Sequence, residues 1–142
     1  MVDIYRVSAL FIMNSKNQVL IAQRSYKKKN WPWLWWPAVA WTVEKDESYE
    51  QNIYKEAMEE IWLQGYIFTK MKKHYVSATY PYFVQWFKLM VDLPIEYFII
   101  EKEEVEAIQC VDRDELIHST QKEPNRYTRS FLEKVQSTFS NK

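Results

Sequence analysis

Glu56, Glu59 and Glu60 are the residues whose type and spacing could do chemistry. At i, i+3 and i+4 of a helix they place three carboxylates on one face. Like charges so close repel. The face must therefore be fully solvated, with Lys55 paired to Glu59, or shared with a hard cation such as Mg²⁺, which prefers oxygen ligands and bridges carboxylates to substrate phosphates. Taken alone, EAMEE does not choose between the two.

The elements that would hold these residues can be read on either side. Ser48, followed three residues later by Gln51, has the form of a capping box, so a helix should start there. On that helix Ile53, Tyr54, Ala57, Met58 and Ile61 fill one arc, expected to face the core, while Asn52, Lys55, Glu56, Glu59 and Glu60 fill another. Upstream, Val7–Met13 and Gln18–Gln23 are β-rich segments around the polar turn Asn14–Asn17, which predicts a hairpin. Ser25–Trp36 has no regular period and reads as a loop, and Pro37–Val43 reads as a short strand. Downstream, Tyr66–Val76, Tyr82–Val91 and Glu104–Val111 are strand-like, the first two separated by Ser77-Ala78-Thr79-Tyr80-Pro81. Asp112–Ile117 predicts a helical turn. From Pro124 to Phe139 the apolar residues Tyr127, Phe131, Val135 and Phe139 recur every four positions, as in an amphipathic helix.

A chain of 142 residues fits one domain, spanning 1–142. Nineteen basic and nineteen acidic side chains cancel, so no overall field draws the chain to nucleic acid or an anionic membrane. No apolar run approaches a membrane span, and the N-terminal run reads as a strand rather than a signal. The lone Cys110 makes no internal disulfide and, with two distant histidines, builds no Cys/His zinc site; a cytoplasmic setting is expected. One glycine and seven tryptophans are unusual, since average usage would give roughly ten glycines. His74 and His118 are isolated and carry no assigned role. Lys27, Lys28 and Lys29 read as a solvated loop, with phosphate steering as the rival reading.

Read whole, residues 41–63, WTVEKDESYEQNIYKEAMEEIWL, resemble the Nudix box, G-x5-E-x7-R-E-U-x-E-E-x-G-U, where U is a bulky apolar residue. Glu47 matches its first glutamate, Glu56 the glutamate of the R-E pair, Glu59 and Glu60 the E-E pair, and Leu63 the final apolar residue. RVSALFIMNSKNQVLIAQRS and the tryptophan-proline loop also resemble what precedes the box in that family. The resemblance implies an α/β fold, an α/β/α sandwich with a mixed sheet, and Mg²⁺-dependent hydrolysis of a diphosphate linkage in a nucleotide-like substrate, with Mn²⁺ as a stand-in. Carried over, Glu56, Glu59 and Glu60 would hold metal, one of them also serving the attacking water, and Glu47 would orient the helix through Lys55. Among Glu103, Glu104 and Glu106, Glu106 is favoured as a further metal ligand. Arg24 and Trp41 would face substrate. The implied partner is a small nucleotide or diphosphate, with no membrane or nucleic acid and room for a homodimer.

Position 55 is Lys where the family has Arg, which keeps the charge but not the planar fork. Trp41 and Trp62 stand at both box glycines, and Trp33 and Trp36 where similar sequences have glycine. A tryptophan-lined site, a weakened catalyst, or a genetic code in which UGA means glycine would each account for them; the last explains missing glycine and excess tryptophan together. Two other functions share the fold. An isopentenyl-diphosphate isomerase would need a cysteine where Ala40 stands and an acid within Tyr82–Met90, which has none. A binding module blocked at Trp41 would have no evident use for the retained glutamates.

Overall fold

The computed structural model describes residues 4–77 and 80–139. Ala78 and Thr79, of the turn expected at 77–81, lie outside the described residues. Strand β1 (Tyr5–Met13) is the axis of a seven-stranded mixed sheet. Along β1 side chains alternate between two cores, with Ala9 and Phe11 on one face and Leu10 and Ile12 on the other. From Ala9 to Met13 the strand is buried on both faces and apolar throughout, while the buried Ser8 spends its hydroxyl on the Tyr49 carbonyl at 2.9 Å.

The hairpin with β2 (Gln18–Arg24) forms, but β1 and β2 pair only next to the turn, Ile12 with Leu20 and Met13 with Val19. Beyond that they splay, and the chain from 35 to 42 fills the gap. The single strand expected at Pro37–Val43 is thus two: β3 (Trp35–Pro37) pairs with β2, and β4 (Val39–Thr42) pairs with β1. On its other side β1 runs parallel to β6 (Tyr82–Met90), whose outer neighbour is β5 (Thr69–Val76). β7 (Val105–Asp112) pairs antiparallel with β2, with a register shift between Gln23 and Arg24.

Helix α1 (Tyr49–Ile61) covers one face. Its capping box forms as the sequence predicts: Gln51 N–H donates to Ser48 Oγ at 3.0 Å, and Ser48 N–H to Gln51 Oε1 at 2.8 Å. Ile53, Ala57 and Ile61 are fully buried against Leu10, Val39 and Phe87. Tyr54, expected in the core arc, is exposed; its ring stacks on Phe68 at 4.5 Å and its hydroxyl accepts the Phe68 N–H at 2.9 Å. That contact keeps residues 66–68 out of the sheet, so β5 begins later than the sequence suggests.

The other face carries α2 (Arg113–Lys122) and α3 (Arg129–Phe139), packed through Leu116, Phe131 and Val135. The short turn expected at Asp112–Ile117 is a full helix, and the helix expected from Pro124 begins with a 3₁₀ turn, Pro124–Arg126. Phe11 stacks on Trp86 at 5.0 Å and meets Phe131 at 5.7 Å; burying each ring contributes about 2 kcal/mol. Helices on both faces of a mixed sheet make the α/β/α sandwich that the sequence implied.

Candidate active site

The segment between β4 and α1 folds around the Glu47 carboxylate. Its Oε1 accepts the Glu44 N–H at 2.9 Å and Asn52 Nδ2 at 3.1 Å, and its Oε2 meets Lys55 Nζ at 2.6 Å. Asn52, fully buried, also donates to the Thr42 carbonyl at 3.2 Å. The bond from Lys55, followed by that from the Glu44 N–H, lowers the Glu47 carboxyl to about 2. Lys55 therefore pairs with Glu47 and not with Glu59. Both residues tie the loop to the helix; Lys55 Nζ also lies 3.7 Å from Glu56 Oε2, so the tie reaches the next glutamate.

The three-carboxylate face is not a solvated one. Glu56 is 6% exposed and Glu60 3%, while Glu59 projects to solvent. Burial is the first cause that raises the Glu56 carboxyl, and the charge of Glu59 the second. Burial likewise pushes Glu60 well above the usual carboxylate range, followed by the charges of Glu56 and Glu104. Glu56 and Glu60 are in hydrogen-bond contact, yet Glu60 Oε2 is buried without a partner. As the side chains stand, no three acidic, histidine or cysteine groups among the described residues converge on one point. Two adjacent buried carboxyls with an orphaned oxygen are costly unless a cation or proton compensates them. That donor set fits a hard divalent cation: Glu56 and Glu60 would hold it, with Glu59 at the rim.

The segment after β6 completes the surroundings. Glu101 N–H donates to the Glu60 carbonyl at 2.9 Å, docking residues 99–105 on the end of α1, and Ser25 N–H donates to the Glu104 carbonyl at 3.0 Å. This sets Glu104, and not the expected Glu106, against the acidic pair. Glu106 lies in β7, where its charge bears on the exposed Lys27 and its carbonyl accepts from Lys102 Nζ at 3.2 Å.

Arg24, expected to face substrate, packs into the loop that follows it. It is 6% exposed, its guanidinium lies over the Trp36 ring at 4.2 Å, and it donates to the carbonyls of Asn30, at 2.8 and 3.1 Å, and Trp31, at 3.1 Å. Its Nε and one Nη hold its own loop. Trp41, expected to face substrate, is half-buried on β4, and one face of its ring carries Lys28 Nζ at 4.6 Å. Lys28 is ion-paired with Glu104 as well. Lysines 27–29 are thus not uniformly solvated. Lys28 and Glu104 were the residues the sequence reading missed or passed over; the runs Lys27–Lys29 and Glu103–Glu104, opposite in sign, are the signal that could have paired them. His74 meets Lys134 Nζ at 3.4 Å, away from these acids.

A family model described as the NUDIX domain matches residues 4–133. An uncharacterized Nudix hydrolase of Listeria monocytogenes is 27% identical over 117 residues, covering 80% of this chain and 67% of its own. The crystal structure of DR0079 from Deinococcus radiodurans superposes with a TM-score of 0.79 at 21% identity, covering 95% of this chain and 83% of that one. The NUDIX domain of Shewanella oneidensis NrtR, solved with ADP ribose, gives a TM-score of 0.76 at 11% identity, covering 99% of this chain and 89% of its own.

Proposed function

The chain belongs to the NUDIX domain family and is a Nudix pyrophosphohydrolase; from that premise we propose that it hydrolyses the diphosphate linkage of a nucleoside diphosphate joined to a second group, with Mg²⁺ and with Mn²⁺ as a substitute. The observation that carries this reading is the buried Glu56–Glu60 pair with the unpartnered Glu60 Oε2. Lys55 and Lys28 bear on the pair by their charge but leave Glu60 Oε2 without a hydrogen-bond partner, so ionising both carboxyls costs stability that a divalent cation would return.

Glu56 and Glu60 would hold the metal, with Glu104 as a further acid, and Glu59 would take the proton of the attacking water, because it alone of the three helix acids Glu56, Glu59 and Glu60 is open to solvent. Glu47 and Lys55 position α1 relative to the loop, a role suggested by their 2.6 Å contact. The bound cation supplies charge neutralisation for the diphosphate and a lowered pKa for water. ADP ribose, the ligand of the Shewanella domain, represents the substrate class. The protein is proposed to be cytoplasmic, with a small-molecule partner and room for a homodimer. No helix among the described residues is long and apolar enough to cross a membrane.

The test is a panel of nucleoside diphosphate derivatives incubated with Mg²⁺, with released phosphate products measured for the chain and for Glu56→Gln/Glu60→Gln. Turnover that drops at least about a hundredfold in the double variant is the expected outcome. Turnover retained there would remove the metal role from these residues. Silence in the unaltered, folded chain would favour the binding module.

A further inference from the structure

Of the three lysines that open the tryptophan-rich loop, Lys28 alone turns inward, with Lys27 and Lys29 exposed. Three separate elements meet its ammonium. Glu104, from the turn before β7, is its ion-pair partner; Trp41, on β4, presents its ring face at 4.6 Å; and Glu60, on α1, feels its charge. Glu60 is 3% exposed and leaves Oε2 without a partner, so the cluster has a free oxygen aimed at no group of the protein. The other charges nearby are Glu56, in contact with Glu60 and with Lys55 Nζ 3.7 Å from its Oε2; Glu59, whose charge bears on Glu56; and Arg24, which donates to the Asn30 and Trp31 carbonyls while its charge bears on Glu104 and Glu60.

We propose that Lys28 is the built-in counter-ion of Glu104 and Glu60, as Lys55 is of Glu56, and that a divalent cation entering at the Glu56–Glu60 pair displaces Lys28, so that Lys28 lowers the metal affinity of the site and metal binding frees an inner tie of the loop. The inference rests on the metal-binding reading given above. Its physical content is competition: two cations close to the same carboxylates repel, so each weakens the other, and the coupling is reciprocal. The opposite charge that steadies the cluster without metal must be overcome when metal binds. The Trp41 ring face loses its cation at the same moment.

Mn²⁺ binding to the intact chain, followed by the paramagnetic signal of the free ion, tests this without turnover. Lys28→Met keeps the stem over Trp41 and removes the charge, and it should bind Mn²⁺ about three- to tenfold tighter than the unaltered chain. Lys28→Gln should shift the same way, and Lys28→Arg should not. Mg²⁺ should change the tryptophan emission of the unaltered chain, but not of Lys28→Met or Trp41→Phe. Equal or weaker Mn²⁺ binding in both neutral variants overturns the inference while leaving the metal reading intact, provided that Glu56→Gln/Glu60→Gln loses binding. If neither the unaltered chain nor the Lys28 variants bind Mn²⁺, the metal reading falls and this inference with it.

Discussion

Trp62 and Trp41 both stand where the box pattern has glycine, yet the backbone treats them differently. Trp62 caps α1 in the left-handed region, φ 62° and ψ 33°, and is 54% exposed, so its ring is strained at the backbone and little supported by packing. Trp33, φ 70° and also exposed, is similar, although it stacks on Tyr26 at 5.6 Å. Trp36 and Trp41 are strand residues without positive φ. A glycine preference thus has a backbone reason at two of the four positions. Trp31, which is not one of these four, is left-handed too, φ 52°. A left-handed non-glycine residue costs about 1 kcal/mol or more. Trp62→Gly should therefore stabilise the fold by about 1 kcal/mol and raise Tm by about 3 °C, whereas Trp36→Gly, which takes away the ring under Arg24, should lower it. Thermal melts of the two variants check the pair; equal shifts would show that backbone conformation is not what distinguishes these positions.

At the scale of elements, the Arg24 side chain spans the loop from Ser25 to Leu34, which Lys28, the Gln23 side chain and backbone bonds at its ends also tie down. Arg24 sits at the register shift between β2 and β7, and such irregularities re-aim a side chain. Its planar fork reaches two carbonyls while its face rests on Trp36. Lysine offers a point charge and cannot do both. Arg24→Lys should loosen the loop, and trypsin should then cut at Lys27–Lys29 several times faster, with the sheet intact by circular dichroism; an unchanged cutting rate would show that the loop is held otherwise. The residues of this element were legible in the sequence, but not their roles. Helix α1 was legible almost to its ends, because a capping box and i, i+3, i+4 spacing are local signals. The β3–β4 break and the late start of β5 were not. Both arise from contacts between distant segments: the splayed hairpin that admits residues 35–42, and the Tyr54–Phe68 stack that holds residues 66–68 off the sheet.

The whole molecule determines the ionisation state of the site. Glu47, Lys55, Glu56, Glu59 and Glu60 were legible because they lie on one short segment, whereas Lys28 and Glu104 are separated by 76 positions and only the folded sheet brings them together. The same assembly buries Glu60, and this links the site to global stability. An acid whose pKa is higher folded than unfolded lends stability that is fully present below the unfolded value and is lost as pH rises through the folded one. Without divalent cation, then, the melting temperature should fall as pH is raised from about 5 to about 8, and Glu60→Gln, which cannot ionise, should flatten that fall. Mg²⁺ should restore the loss at neutral pH by mass action, worth about 2.7 kcal/mol at a hundred times Kd, and should do far less for Glu60→Gln. Thermal melts of both proteins across this pH range, in chelator and in Mg²⁺, measure all four terms. Parallel pH profiles for the two proteins, with no effect of Mg²⁺ on either, would mean that the buried pair is neutralised from within the chain and that the energetic case for a cation at Glu56 and Glu60 fails.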